Sequence, residues 1–190
     1  GDVYNTNNNR YSDDEPITDE WILPISQWNE IKEFDVYNNV IIGLKSNGTL
    51  CGLSYKMKQE EMDNILDNFY DVKHIKCYSW NDELIIVGIT NHNTLMYYEN
   101  SLFKEYNMED IIEINVHSDG LGNPEVSLLT SNGDVKEIKT GISLLKDIVH
   151  IEKGFLISRN GSVYQLNYYE EPYKYSEKVC VYDEWIERMK

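Results

Sequence analysis

Cysteine, proline, histidine and basic residues are all scarce in this 190-residue chain, and most of these shortages exclude something. Three cysteines, Cys51, Cys77 and Cys180, lie far apart and form neither a disulfide framework nor a metal-binding spacing. Each falls in a strand-like context and reads as a buried free thiol. Four histidines, His74, His92, His117 and His150, have no second His or Cys at ligand spacing, so no metal and no cofactor is implied. They read as structural or solvated rather than catalytic. Seventeen Lys and Arg against 33 Asp and Glu leave a net charge of −16. Such a chain lacks the basic face that nucleic acid or an anionic membrane requires. It suits a protein partner with a basic surface. No apolar run approaches the roughly 20 residues of a membrane-spanning helix. No nucleophile elbow, His-Glu-x-x-His zinc motif or phosphate-binding glycine loop occurs.

What is present is a phrase repeated four times: an apolar run, a polar turn, a second short strand. The runs are Val40 to Leu44, Leu84 to Ile89, Val126 to Leu129 and Phe155 to Ile157. The turns read Ser46-Asn47-Gly48, Asn91-His92-Asn93, Ser131-Asn132-Gly133 and Arg159-Asn160-Gly161. Asn-Gly between apolar runs predicts β-hairpins, with a two-residue turn of positive φ at both positions. In the second copy Asn93 replaces glycine, and Asn is the best non-glycine residue for that conformation. Ahead of each hairpin stands an acidic residue, then an apolar pair three apart: Glu30 before Ile31 and Phe34, Asp71 before Val72 and Ile75, Asp110 before Ile111 and Ile114, Asp147 before Ile148 and Ile151. The turns recur at roughly 30–45 residues, near the period of about 40–50 residues that marks propeller blades.

The fold class is therefore all-β: a small or partial β-propeller of about four to five blades, as one β-repeat domain over residues 1–190. Residues 1–26 form an acidic part-repeat, 27–166 the four repeats, and 167–190 a Tyr-rich part-repeat. Residues 1–30 hold seven acids against one base, and Asn5 to Glu20 reads as a flexible segment or a long connecting loop. Gly1-Asp2-Val3-Tyr4 echoes the post-turn phrase Gly161-Ser162-Val163-Tyr164, and Val179-Cys180-Val181-Tyr182 echoes a first strand. These two part-repeats either pair to close a ring or belong to a longer array. Met57, Met62, Ile65, Leu66 and Phe69 make one amphipathic stripe, which predicts an inserted helix near residues 56–69 that replaces an outer strand or covers the rim. A second short helix is expected at Asp183 to Met189.

Trp28-Asn29-Glu30-Ile31, followed by Ile42-Gly43-Leu44-Lys45-Ser46-Asn47-Gly48-Thr49-Leu50, resembles the repeats of the regulator of chromosome condensation family in divergent bacterial form. That family pairs a Trp-x-x-Ile strand with a Gly-Leu-Lys-Ser-Asp-Gly-Thr-Val-type hairpin. The resemblance covers residues 27–166 and implies a β-propeller with four-stranded blades. The family's Gly-Gly-x-His segment is missing from every copy: Tyr37-Asn38-Asn39, Trp80-Asn81-Asp82, Gly122-Asn123-Pro124 and Glu152-Lys153-Gly154 stand there instead. Family propellers usually have seven blades. No exchange-factor activity carries over, because folds host unrelated functions.

Acid pairs such as Asp82 and Glu83, or Glu170 and Glu171, are expected on a solvated face in so acidic a chain. The segment Asp119 to Glu125 has oxygen ligands without the alternating spacing of a calcium loop. Tyr164, Tyr168, Tyr169, Tyr173, Tyr175 and Tyr182 gather six of the 15 tyrosines, and tyrosine serves interfaces as well as strands. The candidate binding residues are Trp80, Asp82, Tyr168, Tyr169 and Tyr173, with loops Tyr37 to Asn39, Trp80 to Glu83 and Ser118 to Pro124 presented by rigid blades. These predict a non-enzymatic interaction module that binds a protein. The alternatives are an acidic immunity or inhibitor protein against a basic toxin or nuclease, and a carbohydrate-binding or carbohydrate-active protein. The low Ala and high Asn, Ile, Lys and Tyr content points to an AT-rich bacterial genome, with the compartment open between cytoplasmic and secreted or surface-anchored.

Overall fold

The structure, a computed structural model, describes residues 24–80, 83–118, 124–138, 143–152 and 154–165. Fourteen strands among them form four antiparallel meanders in chain order. The first blade holds β1 (Ile31–Tyr37), β2 (Val40–Lys45) and β3 (Leu50–Ser54). The second holds β4 (Val72–Trp80), β5 (Glu83–Thr90), β6 (Thr94–Glu99) and β7 (Leu102–Asn107). The third holds β8 (Ile111–Ser118), β9 (Pro124–Thr130), β10 (Val135–Glu137) and β11 (Ser143–Leu145). The fourth holds β12 (Ile148–Glu152), β13 (Phe155–Ser158) and β14 (Val163–Gln165). The first strand of each blade faces a common axis, and the four sheets are part of a β-propeller.

The repeated apolar pair is three residues apart for a structural reason. Alternation in a strand puts i and i+3 on opposite faces. In every first strand the register slips just after the first apolar residue: between Ile31 and Glu33, Val72 and His74, Ile111 and Glu113, Ile148 and His150. One extra residue in the strand, a β-bulge, brings both apolar side chains to one face. That face packs on the preceding blade. Val72, Ile75 and Cys77 of the second blade share a core with Val40, Ile42 and Leu44 of the first. Ile111, Ile114 and Val116 share one with Ile85, Val87 and Ile89. Ile148 and Ile151 join Leu129 and Val135. The acidic residue before each pair sits at positive φ, between 52° and 61° at Glu30, Asp71, Asp110 and Asp147. Its carbonyl accepts an N–H from the turn of its own hairpin, at Ser46, Asn91, Ser131 and Arg159, over 2.7–3.0 Å. The hydrogen bond holds a conformation that a non-glycine residue otherwise avoids.

The hairpin turns correct the sequence reading. They are three-residue loops, with positive φ only at Gly48, Asn93, Gly133 and Gly161 and not at Asn47, His92, Asn132 or Asn160. The asparagines use their side chains instead. Asn47, Asn132 and Asn160 each accept, through Oδ1, the backbone N–H two residues on, at Thr49, Asp134 and Ser162. This Asx geometry gives a type I turn closed by a left-handed residue. A two-residue turn with both φ positive does occur, at Asn100-Ser101 between β6 and β7.

The glycines of these turns also carry the contact between blades. Gly48 and Gly133 accept the N–H of Val72 and Ile148 at 2.9 and 3.0 Å. A Cβ on Gly133 would lie 3.0 Å from the Ile148 carbonyl oxygen, whereas one on Gly161 would meet nothing within 4 Å. Gly133→Ala is therefore expected to cost about 1–2 kcal/mol, and Gly161→Ala about 1 kcal/mol from left-handed strain alone. Urea unfolding of the two variants measures the difference, and equal losses would remove the interblade part of the argument.

The expected helix is shorter than its apolar stripe. It is α1 (Gln59–Leu66), with Glu60 and Glu61 in its first turn, where carboxylates favour the helix dipole. It follows β3 at the chain position where the second and third blades carry a fourth strand, which the three-stranded first sheet lacks, and it packs against β3. Met62, Ile65, Leu66 and the following Phe69 are buried in the core between the first two blades, and Leu66 lies against Gly52 of β3. The wedge between two diverging sheets needs filling, and the helix fills it. The segment Asp183 to Met189 lies outside the described residues.

Candidate functional site

The first strands line an open cavity of about 190 Å³ on the axis. Residues at one repeat position meet there: Glu33, His74, Glu113 and His150, each two after the first apolar residue of its strand. Glu33 accepts the Ile75 N–H at 3.2 Å, and its other oxygen lies 3.1 Å from His74 Nδ1. Glu113 repeats this two blades later, taking the Ile151 N–H at 2.9 Å and His150 Nδ1 at 3.1 Å. Asp35 accepts the Cys77 N–H at 2.7 Å. The physical reason is the same in all three. The innermost strand has an edge without a neighbouring strand, so its amides need acceptors from elsewhere. Carboxylates of the preceding blade supply them.

Lys76 spans from the second blade to Glu152 of the fourth, with Nζ 3.1 Å from Oε2. Burial works against its ammonium, but the Glu152 hydrogen bond and the charges of Asp35, Glu152 and Glu33 outweigh it and raise its pKa. Burial pushes the Asp35 carboxyl up from 3.8, against the pull of the Cys77 N–H and Lys76. It also pushes the Cys77 thiol well above its usual range. The cavity thus gathers acids and bases that already bind one another and the backbone. Among the described residues no group of three His, Cys, Asp or Glu is placed to hold a metal ion.

From sequence alone His74 and His150 read as structural or solvated, and their pairing with glutamates is not visible. The signal was present: the four residues two beyond the first apolar position alternate Glu, His, Glu, His.

Trp80 closes β4, 46% exposed, opposite Glu83 at the hairpin tip. The tip is tied to its neighbour. Asn38 Nδ2 donates to the Ser79 carbonyl at 2.6 Å, and the Ser79 hydroxyl donates to Asn39 Oδ1 at 2.7 Å. The Tyr37 to Asn39 loop therefore lies beside Trp80. Asp82, Tyr168, Tyr169 and Tyr173 lie outside the described residues, as do 119–123 of the third loop. Among the described residues no helix is long and apolar enough to cross a membrane.

No family profile matches the chain, and no curated protein matches it. Among solved structures it is similar to a chain in the crystal structure of Kap60 bound to yeast RCC1 (Prp20), with a TM-score of 0.52 and 13% identity. The alignment covers 74% of this chain and 44% of that one, so this chain spans less than half the length of its structural neighbour. The likeness is one of fold: a partial propeller of the RCC1 kind.

Proposed function

We propose that this chain is a non-enzymatic interaction module that engages a protein partner through its hairpin-tip face, with Trp80 as the anchor. The observation that carries this is a half-exposed tryptophan on a tip braced by hydrogen bonds to the neighbouring blade. A rigid aromatic held in place loses little entropy on binding, and tryptophan is the residue most enriched at interface centres. The axial acids and bases support a non-enzymatic role, because each carboxylate named there already serves a backbone amide, an imidazole or Lys76. A net charge of −16 favours a partner with a basic surface, whose association weakens as salt rises. The neighbour's own binding of a protein, Kap60, is consistent with this use of the fold.

The test is photo-crosslinking from position 80 in cells, followed by affinity measurement on the protein captured. Trp80→Ala is expected to weaken that complex by about tenfold or more, as loss of an anchor does. Tyr70→Ala, an exposed aromatic on a different loop, should leave it unchanged. Equal affinities for wild type and Trp80→Ala would remove the site.

A further inference from the structure

We propose that the outer faces of the first and fourth blades pair with each other between two copies of this chain, head to tail. The interface required is one the molecule already makes three times within itself. In each internal junction, residues paired across the first two strands of one blade pack on the apolar pair and its neighbour from the next. Ile42 and Leu44 are fully buried under the second blade, Val87 and Ile89 under the third, and Leu129 under the fourth. The register assigns the same two positions in the fourth blade to Phe155 and Ile157. These are 46% and 38% exposed.

The complementary half stands open on the first blade. Its positions are filled inside the array by Ile75 and Cys77, by Ile114 and Val116, and by Ile151, all no more than 6% exposed. In the first blade they are Phe34 and Val36, 55% and 45% exposed. Trp28 covers the adjacent Gly43 and leaves those two uncovered. Each exposed pair is thus one half of an interface whose other half sits at the opposite end of the same molecule.

One acceptor of the junction has a counterpart, although the place of Glu33 is held in the fourth blade by His150 and Glu152 Oε2 already binds Lys76. Glu152 holds in the fourth blade the place of Asp35, the acid that accepts the amide of Cys77, and Val36 holds the place of Cys77. A second copy brings a whole face of each kind. A contact of this kind is heterologous. Two copies joined through these faces bring together four described blades from each, and propellers of up to eight blades are known. The like charge of the copies opposes assembly, so salt should strengthen it, the reverse of the effect expected for a basic partner.

Sedimentation velocity over a wide concentration range, with the 190-residue chain and two single variants, tests this. Wild type is expected to self-associate, more tightly in high salt. Phe34→Glu and Phe155→Glu should each weaken self-association by about thirtyfold or more, the loss typical of a buried aromatic anchor. An equimolar mixture of the two should form a 1:1 complex, because each keeps the face that the other has lost. Both side chains are exposed, so folding is expected to survive, and circular dichroism and thermal melts check this. A wild type monomeric throughout overturns the proposal, and hydrogen exchange then shows whether residues 1–23 and 166–190 cover the two faces instead. A dimer that either variant abolishes and the mixture does not restore overturns it equally, because the contact would then join like faces.

Discussion

Replacing Gly88 by leucine is expected to lower stability by about 3 kcal/mol, and adding Phe69→Leu to return most of that loss. One position, three residues ahead of each first strand, recurs in all four copies. Trp28, Phe69, Met108 and Leu145 stand there, and each is packed against its local core or against the glycine opposite. Trp28 and Phe69 lie against Gly43 and Gly88 of the second strand, while the matching register position is Leu128 or Leu156 in the two clusters that Met108 and Leu145 pack on. Volumes compensate. A large aromatic goes with glycine, and a smaller aliphatic goes with leucine. A Cβ on Gly43 would lie 3.1 Å from the Trp28 ring, and one on Gly88 would lie 3.2 Å from Phe69 Cδ1. A leucine at 88 needs the space of the Phe69 ring, and displacing that ring also breaks its edge-on contact with Phe103 at 5.2 Å. Phe69→Leu alone should cost about 1–2 kcal/mol through the space it leaves. Together the two changes recreate the Leu145 and Leu156 arrangement of the fourth blade. Urea denaturation of all four proteins gives the coupling, expected at about 1–3 kcal/mol for residues that share one space. Strict additivity would mean the slot is not shared.

The plug positions show what kind of information the sequence carried openly. The hairpins were legible because glycine and asparagine at a turn advertise themselves, and the apolar runs beside them can only be buried strands. The helix was legible from the spacing of Met62, Ile65, Leu66 and Phe69, although only Gln59–Leu66 is helical. Features that depend on backbone geometry were less visible. The acid before each first strand was noticed as a residue type, while its role is a positive φ held by the turn of its own hairpin. The Asn-Gly pairs pointed to the right places and the wrong turn, because an asparagine side chain can close a turn without itself becoming left-handed. Strand β7, Leu102–Asn107, is almost wholly exposed, so it lacks the alternation that reveals a half-buried strand. The axial cavity was the least legible feature. Its lining comes from four strands roughly 40 residues apart, each contributing one or two polar residues that look ordinary alone. Only aligning the copies on their first apolar residue brings Glu33, His74, Glu113 and His150 into one row. Trp80 was legible as an exposed aromatic, and its bracing by Asn38 and Asn39 was not, because nothing in the sequence says that those tips are neighbours.

The axial acids lead to the second large effect. Asp35→Ala is expected to cost about 2–3 kcal/mol, and Asp35→Asn much less. Cys77 is 1% exposed, and its N–H points from the free edge of β4 to Asp35 Oδ2 at 2.7 Å. Alanine leaves a buried donor without an acceptor, which costs its full desolvation, and also takes from Lys76 one of its counter-charges. Asparagine keeps a carbonyl oxygen at that place. The two variants therefore separate the hydrogen bond from the charge. The charge has its own pH signature. Burial raises the Asp35 carboxyl above 3.8, so the folded chain holds that proton more tightly than the unfolded chain does. The stability this contributes is fully present below the unfolded value and is lost as pH rises through the raised folded value. At neutral pH the wild type carries a partly desolvated carboxylate that the asparagine variant lacks. Asp35→Asn should then gain on wild type as pH increases above 3.8 and level off once the folded carboxyl has ionised. Unfolding free energies of the two proteins across the acid range measure this directly. A difference that stays flat, or that grows toward acid, would mean Lys76 and the Cys77 amide outweigh burial and hold the carboxylate in its charged form.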